Sequence, residues 1–547
     1  MESGIDYFKD AWLKRRAQFS TVAVIKSSDP KRLPEFIKFI HNVYSSAKEP
    51  KPFKIYLYKV WSGLFEVSVK DGKIEYSPAQ AQFDVFQPAG QIRDLNHTLF
   101  YLDNVMLRSE RVIVVFWGLF NYKAVSDVEH YALVKFLRNA IFDENYYVKY
   151  HFIVLFTDYP EQLLDDDTLK HSIVVDMPPS TEKERLSIIR DIAEKLNIQA
   201  DNLEVYAEAL KGLNLHEAES VTLESIFKYK MLNLDAMISF KYDIVKKSGL
   251  LDIETPEHGF EAVGGYDVLK KFIINNVIKV LRNPQKAARL GLRPPRGILL
   301  FGPPGTGKTW FARALAKELQ LPFLRLRTEK IVSMWYGETS RNLAKALSIS
   351  ESISPCVLFI DEIDRFGKRG GLAEHEETRR AFSILLEWLG DERRKTIVVG
   401  TTNRIEDLDE AFRRVGRFDY IIPVLYPDYK ARLEILKIHT SVIRRVPLAS
   451  DVNLEYLAGE TEYWSGAELQ ELVLRAARKA LEEDSDVVSA RHFDRALETF
   501  RINAKERSEQ LQRYLKLAEE YTNDTEFLEQ LKKTYSEASR VEAIKRF

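Results

Sequence analysis

Gly302-Pro-Pro-Gly-Thr-Gly-Lys308-Thr309 follows an apolar run, Ile298 to Phe301, that reads as a buried strand, and it precedes an amphipathic helix. Strand, glycine-rich turn and helix in this order are the context of a phosphate-binding loop. Glycines at 302, 305 and 307 let the backbone curl so that its amides and the helix N-terminus converge on phosphate oxygens. Lys308 would reach the terminal phosphates of a nucleoside triphosphate, and the Thr309 hydroxyl would ligate Mg2+. Val357-Leu-Phe-Ile-Asp361-Glu362, about fifty residues on, is the matching partner: a hydrophobic strand that brings two carboxylates to the same sheet edge. Asp361 would orient the metal's shell, and Glu362 would polarise the attacking water. The fold class that follows is α/β, a parallel sheet flanked by helices. ATP and Mg2+ are its expected cofactors.

Length and composition set the frame around this motif. The 547 residues exceed one ordinary core and fit two to four domains. Lys and Arg number 80 against 81 Asp and Glu, so no net field favours nucleic acid or acidic lipid. The one cysteine, Cys356, cannot form an internal disulfide, and its apolar surroundings mark it as a small buried hydrophobe. No apolar signal core and no long uncharged apolar stretch is present, so a reducing, cytoplasmic location without a transmembrane segment is expected.

Working outward, two strand-and-helix blocks flank a stretch from Ser239 to Glu261 that reads as a linker. In the first block, Thr21 to Ile25, Lys54 to Val60, Val112 to Trp117 and Phe152 to Phe156 read as strands of a parallel sheet. In the second, Gly297 to Phe301, Phe323 to Leu326, Val357 to Ile360 and Ile397 to Val399 do so. Val112 and Val357 differ by 245 positions and Ile153 and Ile397 by 244, while Arg185-Leu186 matches Arg432-Leu433 at 247. A near-constant offset predicts an internal repeat. From Arg501 the chain is charged and helical, with Leu511, Tyr514, Leu515, Ala518 and Tyr521 on one stripe expected to pack on a lid or a neighbour.

Gly302 to Thr309, Leu358 to Asp364, Gly400-Thr-Thr-Asn403 and Gly416-Arg417-Phe418-Asp419 together resemble the AAA ATPase family in order and spacing, over about 240 residues. The resemblance implies a P-loop AAA+ module with a helical lid. It implies that Asn403 senses the γ-phosphate and places the water, and that Arg414 and Arg417 are fingers acting on nucleotide in a neighbouring subunit, hence a homo-oligomeric ring, commonly a hexamer. By the same match Gly264 and Gly265 lie over the adenine, His439 lies near base and ribose, and Gly466-Ala467 is the small-residue step of the lid. Pro304, Gly305, Thr306, Gly307, Lys308, Thr309, Trp310 and Asp361 complete the expected nucleotide-binding set, with Thr309 and Asp361 on the metal. Trp335 and Tyr336 in Met334-Trp-Tyr-Gly-Glu338 sit where AAA protein motors carry a pore loop that grips polypeptide, and Gly367 to Gly371 is a candidate second pore loop.

The departures are informative too. Glu387-Trp-Leu-Gly-Asp-Glu392 replaces the family's intersubunit Asp-Gly signal. In the first block Phe116 and Trp117 stand where the second has Asp361 and Glu362, and Lys26-Ser-Ser-Asp-Pro30 lacks the glycines and the Lys-Thr pair. That block therefore reads as a degenerate AAA-like domain that binds no ATP, an arrangement resembling a cyanobacterial and chloroplast, sporulation stage V protein K-like group. The expected division is 1–175 degenerate domain, 176–240 its lid, 241–262 linker, 263–425 catalytic large subdomain, 426–500 lid and 501–547 helical extension. The function expected is ATP-driven remodelling of a polypeptide substrate or adaptor. The alternatives are a nucleic-acid motor or loader, which the charge balance does not support, and an ATP-switched assembly scaffold.

Overall fold

The computed structural model describes residues 4–46, 52–81, 90–109, 111–119, 126–158, 160–247, 249–331, 338–366, 375–414 and 416–545. Trp335, Tyr336 and Gly367 to Gly371 lie outside them. The chain divides into two compact units, Met1–Lys241 and Tyr242–Phe547.

The first unit contains β1 (Val22–Lys26), β2 (Lys54–Lys59), β3 (Gly63–Lys70), β4 (Lys73–Pro78), the two-residue pair β5 (Gln80–Ala81) and β6 (Gly90–Gln91), β7 (Val112–Trp117), β8 (Phe152–Phe156) and β9 (Ile173–Asp176). Its main sheet runs β4-β3-β2-β7-β8-β1-β9. The strands β2, β7, β8, β1 and β9 are parallel, and β3 and β4 add an antiparallel hairpin at one edge. Every residue of β7 and β8 is buried, as continuous apolar runs require when helices cover both faces of a parallel sheet. Ile113, Val115 and Trp117 pack with Phe36, Ile37 and Ile40 of the helix Arg32–Ser45 on one face. Val114 and Phe116 pack with Leu99 and Leu133 on the other.

The second unit contains β10 (Leu251–Glu254), β11 (Gly297–Phe301), β12 (Phe323–Leu326), β13 (Val357–Ile360), β14 (Ile397–Thr402) and β15 (Tyr420–Pro423), in the order β10-β12-β13-β14-β11-β15. Reduced to parallel strands, both sheets have the same order: second, third, fourth, first, fifth. The repeat is visible in single side chains as well. Buried Arg185 donates to the carbonyls of Ala207 at 2.7 Å and Ser180 at 3.0 Å. Buried Arg432 donates to those of Ala458 at 3.0 Å and Pro427 at 3.1 Å. Each guanidinium thus ties the first helix of a helical cluster to the end of the next helix and to the loop before its own.

One expectation needs correction and another needs extending. The stretch read as a linker carries the end of the helix Leu234–Lys247 and then β10, which pairs antiparallel with β12. Leu251 and Ile253 enter the core, while Asp252 and Glu254 on the opposite face pair with Arg327 and Arg313. A four-residue strand with acids at alternate positions looks like a charged loop until its partner strand is known. The carboxy-terminal helices, Ala504–Tyr521 and Thr525–Lys545, pack on the unit's own sheet as well as on the lid. Ala518 enters the core on one side, Phe527 and Leu531 enter it on the other, and Asn523 Oδ1 accepts the Ile421 amide of edge strand β15 at 3.0 Å. The extension covers an otherwise open sheet edge, and it meets the lid through the Arg507–Glu468 ion pair at 2.8 Å and through Tyr535, whose hydroxyl donates to the Tyr426 carbonyl at 2.6 Å.

Replacing either buried guanidinium leaves carbonyls without donors. Arg185→Ala and Arg432→Ala are each expected to cost about 2 to 4 kcal/mol, with hydrogen exchange rising in the helices that follow the substituted residue. Unchanged protection there would refute the anchoring role.

A nucleotide-shaped cavity in the second unit

β11 delivers the glycine-rich loop directly onto the helix Lys308–Leu319, and Gly305 and Gly307 hold φ of +78° and +90°. A Cβ at Gly305 would sit 2.9 Å from Ser465 Oγ, so a side chain there would push the lid away from the loop. β13 ends at Ile360, just before Asp361 and Glu362, and β14 ends at Thr402 beside Asn403. Because the two strands are parallel neighbours, their tips bring Glu362 and Asn403 to the same edge as the loop. Thr401 joins them: its hydroxyl donates to Asp361 at 2.6 Å and accepts the Glu362 amide at 3.2 Å. Glu362 itself holds φ of +48°, a strained conformation that turns the chain sharply at the strand's end. Its carboxylate pairs with Arg365.

The lid closes the other side. Ser465 and Glu468 form a reciprocal cap on the helix Gly466–Glu482, and the Ala467 amide donates to the Gly305 carbonyl at 3.1 Å. His439 lies in a π turn, Ile438–Val442, that ends the lid's first helix. The cavity between loop and lid is about 440 Å³, within the size range of small-molecule sites.

Of the residues expected at the nucleotide, Gly264, Pro304, Gly305, Thr306, Gly307, Lys308, Thr309, Trp310, Asp361, Glu362, Asn403, His439, Gly466 and Ala467 all line this cavity. Gly265 does not. Its amide donates to Glu434 at 2.8 Å and a Cβ on it would collide with Ala431, so its smallness serves the lid helix Tyr429–Lys437. Arg414 and Arg417 are not among the lining residues either: Arg414 is exposed, and Arg417 donates to the Ala411 carbonyl at 2.6 Å. Sequence reasoning missed Tyr266, whose hydroxyl lies 2.8 Å from the Thr306 carbonyl and 2.9 Å from that of Leu425, and Arg313 and Gln470 on the cavity wall. Nothing near Tyr266 in the chain signals this, since its partners are 40 and 159 positions away.

Hard oxygen donors, the Thr309 hydroxyl and the Asp361 carboxylate, share one cavity with a lysine and backbone amides, a set that suits Mg2+ carried on phosphates. The Lys308 ammonium donates to the carbonyls of Gly302 at 2.9 Å and Pro303 at 2.7 Å and to Asn403 Oδ1 at 2.9 Å. Burial pushes Lys308 down to about 8, against the opposing pull of Asp361 and Glu362.

Residues 298–426 match the ATPase family associated with various cellular activities, AAA, and residues 451–495 match the AAA+ lid domain. Residues 298–426 and 451–495 are thus an AAA ATPase domain and its lid. A cell division cycle protein 48 homolog of Archaeoglobus fulgidus is 34% identical over 325 residues, which is 56% of this chain and 43% of that protein. The proteasome-activating nucleotidase of Methanocaldococcus jannaschii is 39% identical over 252 residues, 45% of this chain and 57% of that one. The ATP-dependent zinc metalloprotease FtsH of Syntrophotalea carbinolica is 40% identical over 244 residues, 43% and 37% respectively. The chain thus covers roughly half of each of these relatives or less. No helix among the described residues is long and apolar enough to cross a membrane.

In the first unit the loop after β1 is held by contacts within the chain. After β1, the carboxylate of buried Asp29 accepts the amide of Lys31 at 3.0 Å and of Leu215, the first residue of a lid-like helix, at 2.7 Å. Arg32, fully buried, begins the helix after β1 as Lys308 begins the helix after β11 in the AAA module. It forks onto both oxygens of Glu184 at 2.5 and 3.0 Å. A carboxylate thus takes the amide of the lid-like helix, and a guanidinium spends its donors inside the protein.

Lys308 supplies a pH prediction. Bound phosphates would raise its affinity for a proton, so ATP binding favours the charged form. Affinity is expected to stay level below pH 8 and to fall about tenfold by pH 9, measured by titrating a fluorescent ATP analogue. Lys308→Arg should remove the slope, because a guanidinium stays charged throughout.

Proposed function

We propose that the AAA module binds and hydrolyses ATP at the interfaces of a homo-oligomeric ring and uses the cycle to remodel polypeptides. The observation that carries this reading is the gathering of Lys308, Thr309, Asp361, Glu362 and Asn403 with lid residues around one cavity. Loop amides and Lys308 hold the β and γ phosphates. Glu362 and Asn403 orient a water in line with the γ-phosphorus. As its oxygen bonds to phosphorus the link to the ADP oxygen breaks, and the water's proton passes to Glu362 or to a phosphate oxygen. Thr309 and Asp361 would hold Mg2+, which would supply positive charge to offset that of the phosphates.

Arg414 and Arg417 stand outside this chain's own cavity, which suits a role on the nucleotide of an adjacent subunit. A hexamer is the ring proposed. Trp335 and Tyr336 are the proposed grip on polypeptide, since rigid aromatic side chains offer contact area independent of sequence at small entropic cost. Two of the relatives are by name a proteasome-activating nucleotidase and an ATP-dependent protease, and balanced charge argues against a nucleic-acid track. The first unit serves recruitment or ring stiffening, with Asp29, Arg32 and Glu184 where a nucleotide would bind.

The shared site is tested by mixing inactive chains. Glu362→Gln and the double variant Arg414→Ala/Arg417→Ala should each lose at least a hundredfold in ATPase rate, and their mixture should regain activity at interfaces that combine an intact glutamate with intact arginines. No recovery would refute arginines acting between subunits. Trp335→Ala should keep basal turnover and lose stimulation by unfolded protein, whereas stimulation by single-stranded nucleic acid alone would favour a nucleic-acid motor. Equilibrium binding should saturate at one ATP per chain and vanish in Lys308→Ala. A second equivalent would overturn the account of the first unit.

A further inference from the structure

The lid histidine has a partner that the reading above leaves unused. The helix Tyr429–Lys437 continues into the π turn Ile438–Val442, closed by the Ile443 amide on the Ile438 carbonyl at 3.0 Å. The extra residue in such a turn re-aims side chains, a device frequent at functional sites. The chain then doubles back, with the Val446 amide on the Thr440 carbonyl at 2.7 Å. This return brings Arg444 alongside His439, and Arg444 Nη1 lies 2.9 Å from His439 Nδ1.

A guanidinium can only donate, so the Nδ1 it meets must carry a lone pair. We propose that Arg444 is a positioning residue that fixes His439 as the Nε2–H tautomer, so that the ring offers the nucleotide a hydrogen-bond donor. The inference rests on the cavity being the nucleotide site. It assigns a role to a residue outside the lining of that cavity. Burial, reinforced by the Arg444 charge, pushes the imidazole down to about 4, so the ring is neutral at physiological pH and one tautomer persists. A neutral donor suits a base nitrogen or a ribose oxygen, both acceptors. An unheld ring would populate both tautomers and lose part of that selectivity.

The tautomer is read on the nucleotide-free full chain by magic-angle-spinning NMR with ¹⁵N-labelled histidine, the His439 signal being assigned by its loss in His439→Gln. Wild type and Arg444→Lys should show a protonated Nε2 and a bare Nδ1, and Arg444→Ala a mixture. Binding of a fluorescent ATP analogue should weaken about three- to tenfold in Arg444→Ala, recover in Arg444→Lys, and show no further loss when Arg444→Ala is added to His439→Gln. A wild-type ring protonated on Nδ1, or an equal Arg444→Ala loss in the His439→Gln background, would overturn the proposal. A wild-type chain that binds no analogue would instead overturn the nucleotide reading, and the NMR spectrum would still decide the tautomer.

Discussion

A buried ammonium that must be surrounded by oxygen is the constraint on which the second module is built. Lys308 lies at the first turn of a helix beneath a lid, where solvation by bulk water is largely lost. The loop carbonyls of Gly302 and Pro303 and the amide oxygen of Asn403 replace that water. Meeting this demand fixes the loop's curvature, and hence the glycines. It also places β11 and β14 side by side, so that one supplies the lysine and the other the asparagine. The acids just after β13 follow because that strand is β14's other neighbour. The same oxygens hold Lys308 by exchangeable hydrogen bonds, which phosphate oxygens are suited to replace.

The first unit solves the opposite problem with the same topology. A sheet of identical parallel order leaves a loop beneath a lid-like cluster, but Asp29 and Arg32 meet partners from their own chain there. A charged group buried without a partner is costly, and fork-shaped pairing of Arg32 with Glu184 removes the cost internally. The buried arginines Arg185 and Arg432 take equivalent partners in the two units, backbone carbonyls, which do not depend on the identity of the partner residue. Side-chain partners drift more freely, and they are where the two copies differ.

The elements that lie outside the shared strand order brace the edge that carries the cavity. β10 extends the sheet at β12, and its Glu254 holds Arg313, which lines that cavity. At the opposite edge, Asn523 covers β15 while Tyr514 donates to the Asn403 carbonyl at 2.6 Å. Arg507 reaches the lid cap at Glu468. The residue that completes the Lys308 cage is thus braced from the carboxy-terminal helix through its own backbone.

The amino-acid sequence by itself determined the parts that are local. The glycine-lysine loop, the strand ending in Asp361-Glu362, the buried runs Val112 to Trp117 and Phe152 to Phe156, and the duplicated Arg185 and Arg432 each state their role within a few residues, because periodicity and loop chemistry act at short range. Tertiary structure alone decided what depends on distant partners. β10 becomes a strand because β12 offers it an edge, and Gly265 is small for Ala431 rather than for adenine. Tyr266 joins the cavity through carbonyls far along the chain, and Arg444 meets His439 because a π turn and a chain reversal return it there. Apart from His439 and Arg444, which are five residues apart and meet through the local turn, such pairings come from packing that closes loops of many residues, and no short window of sequence contains both members.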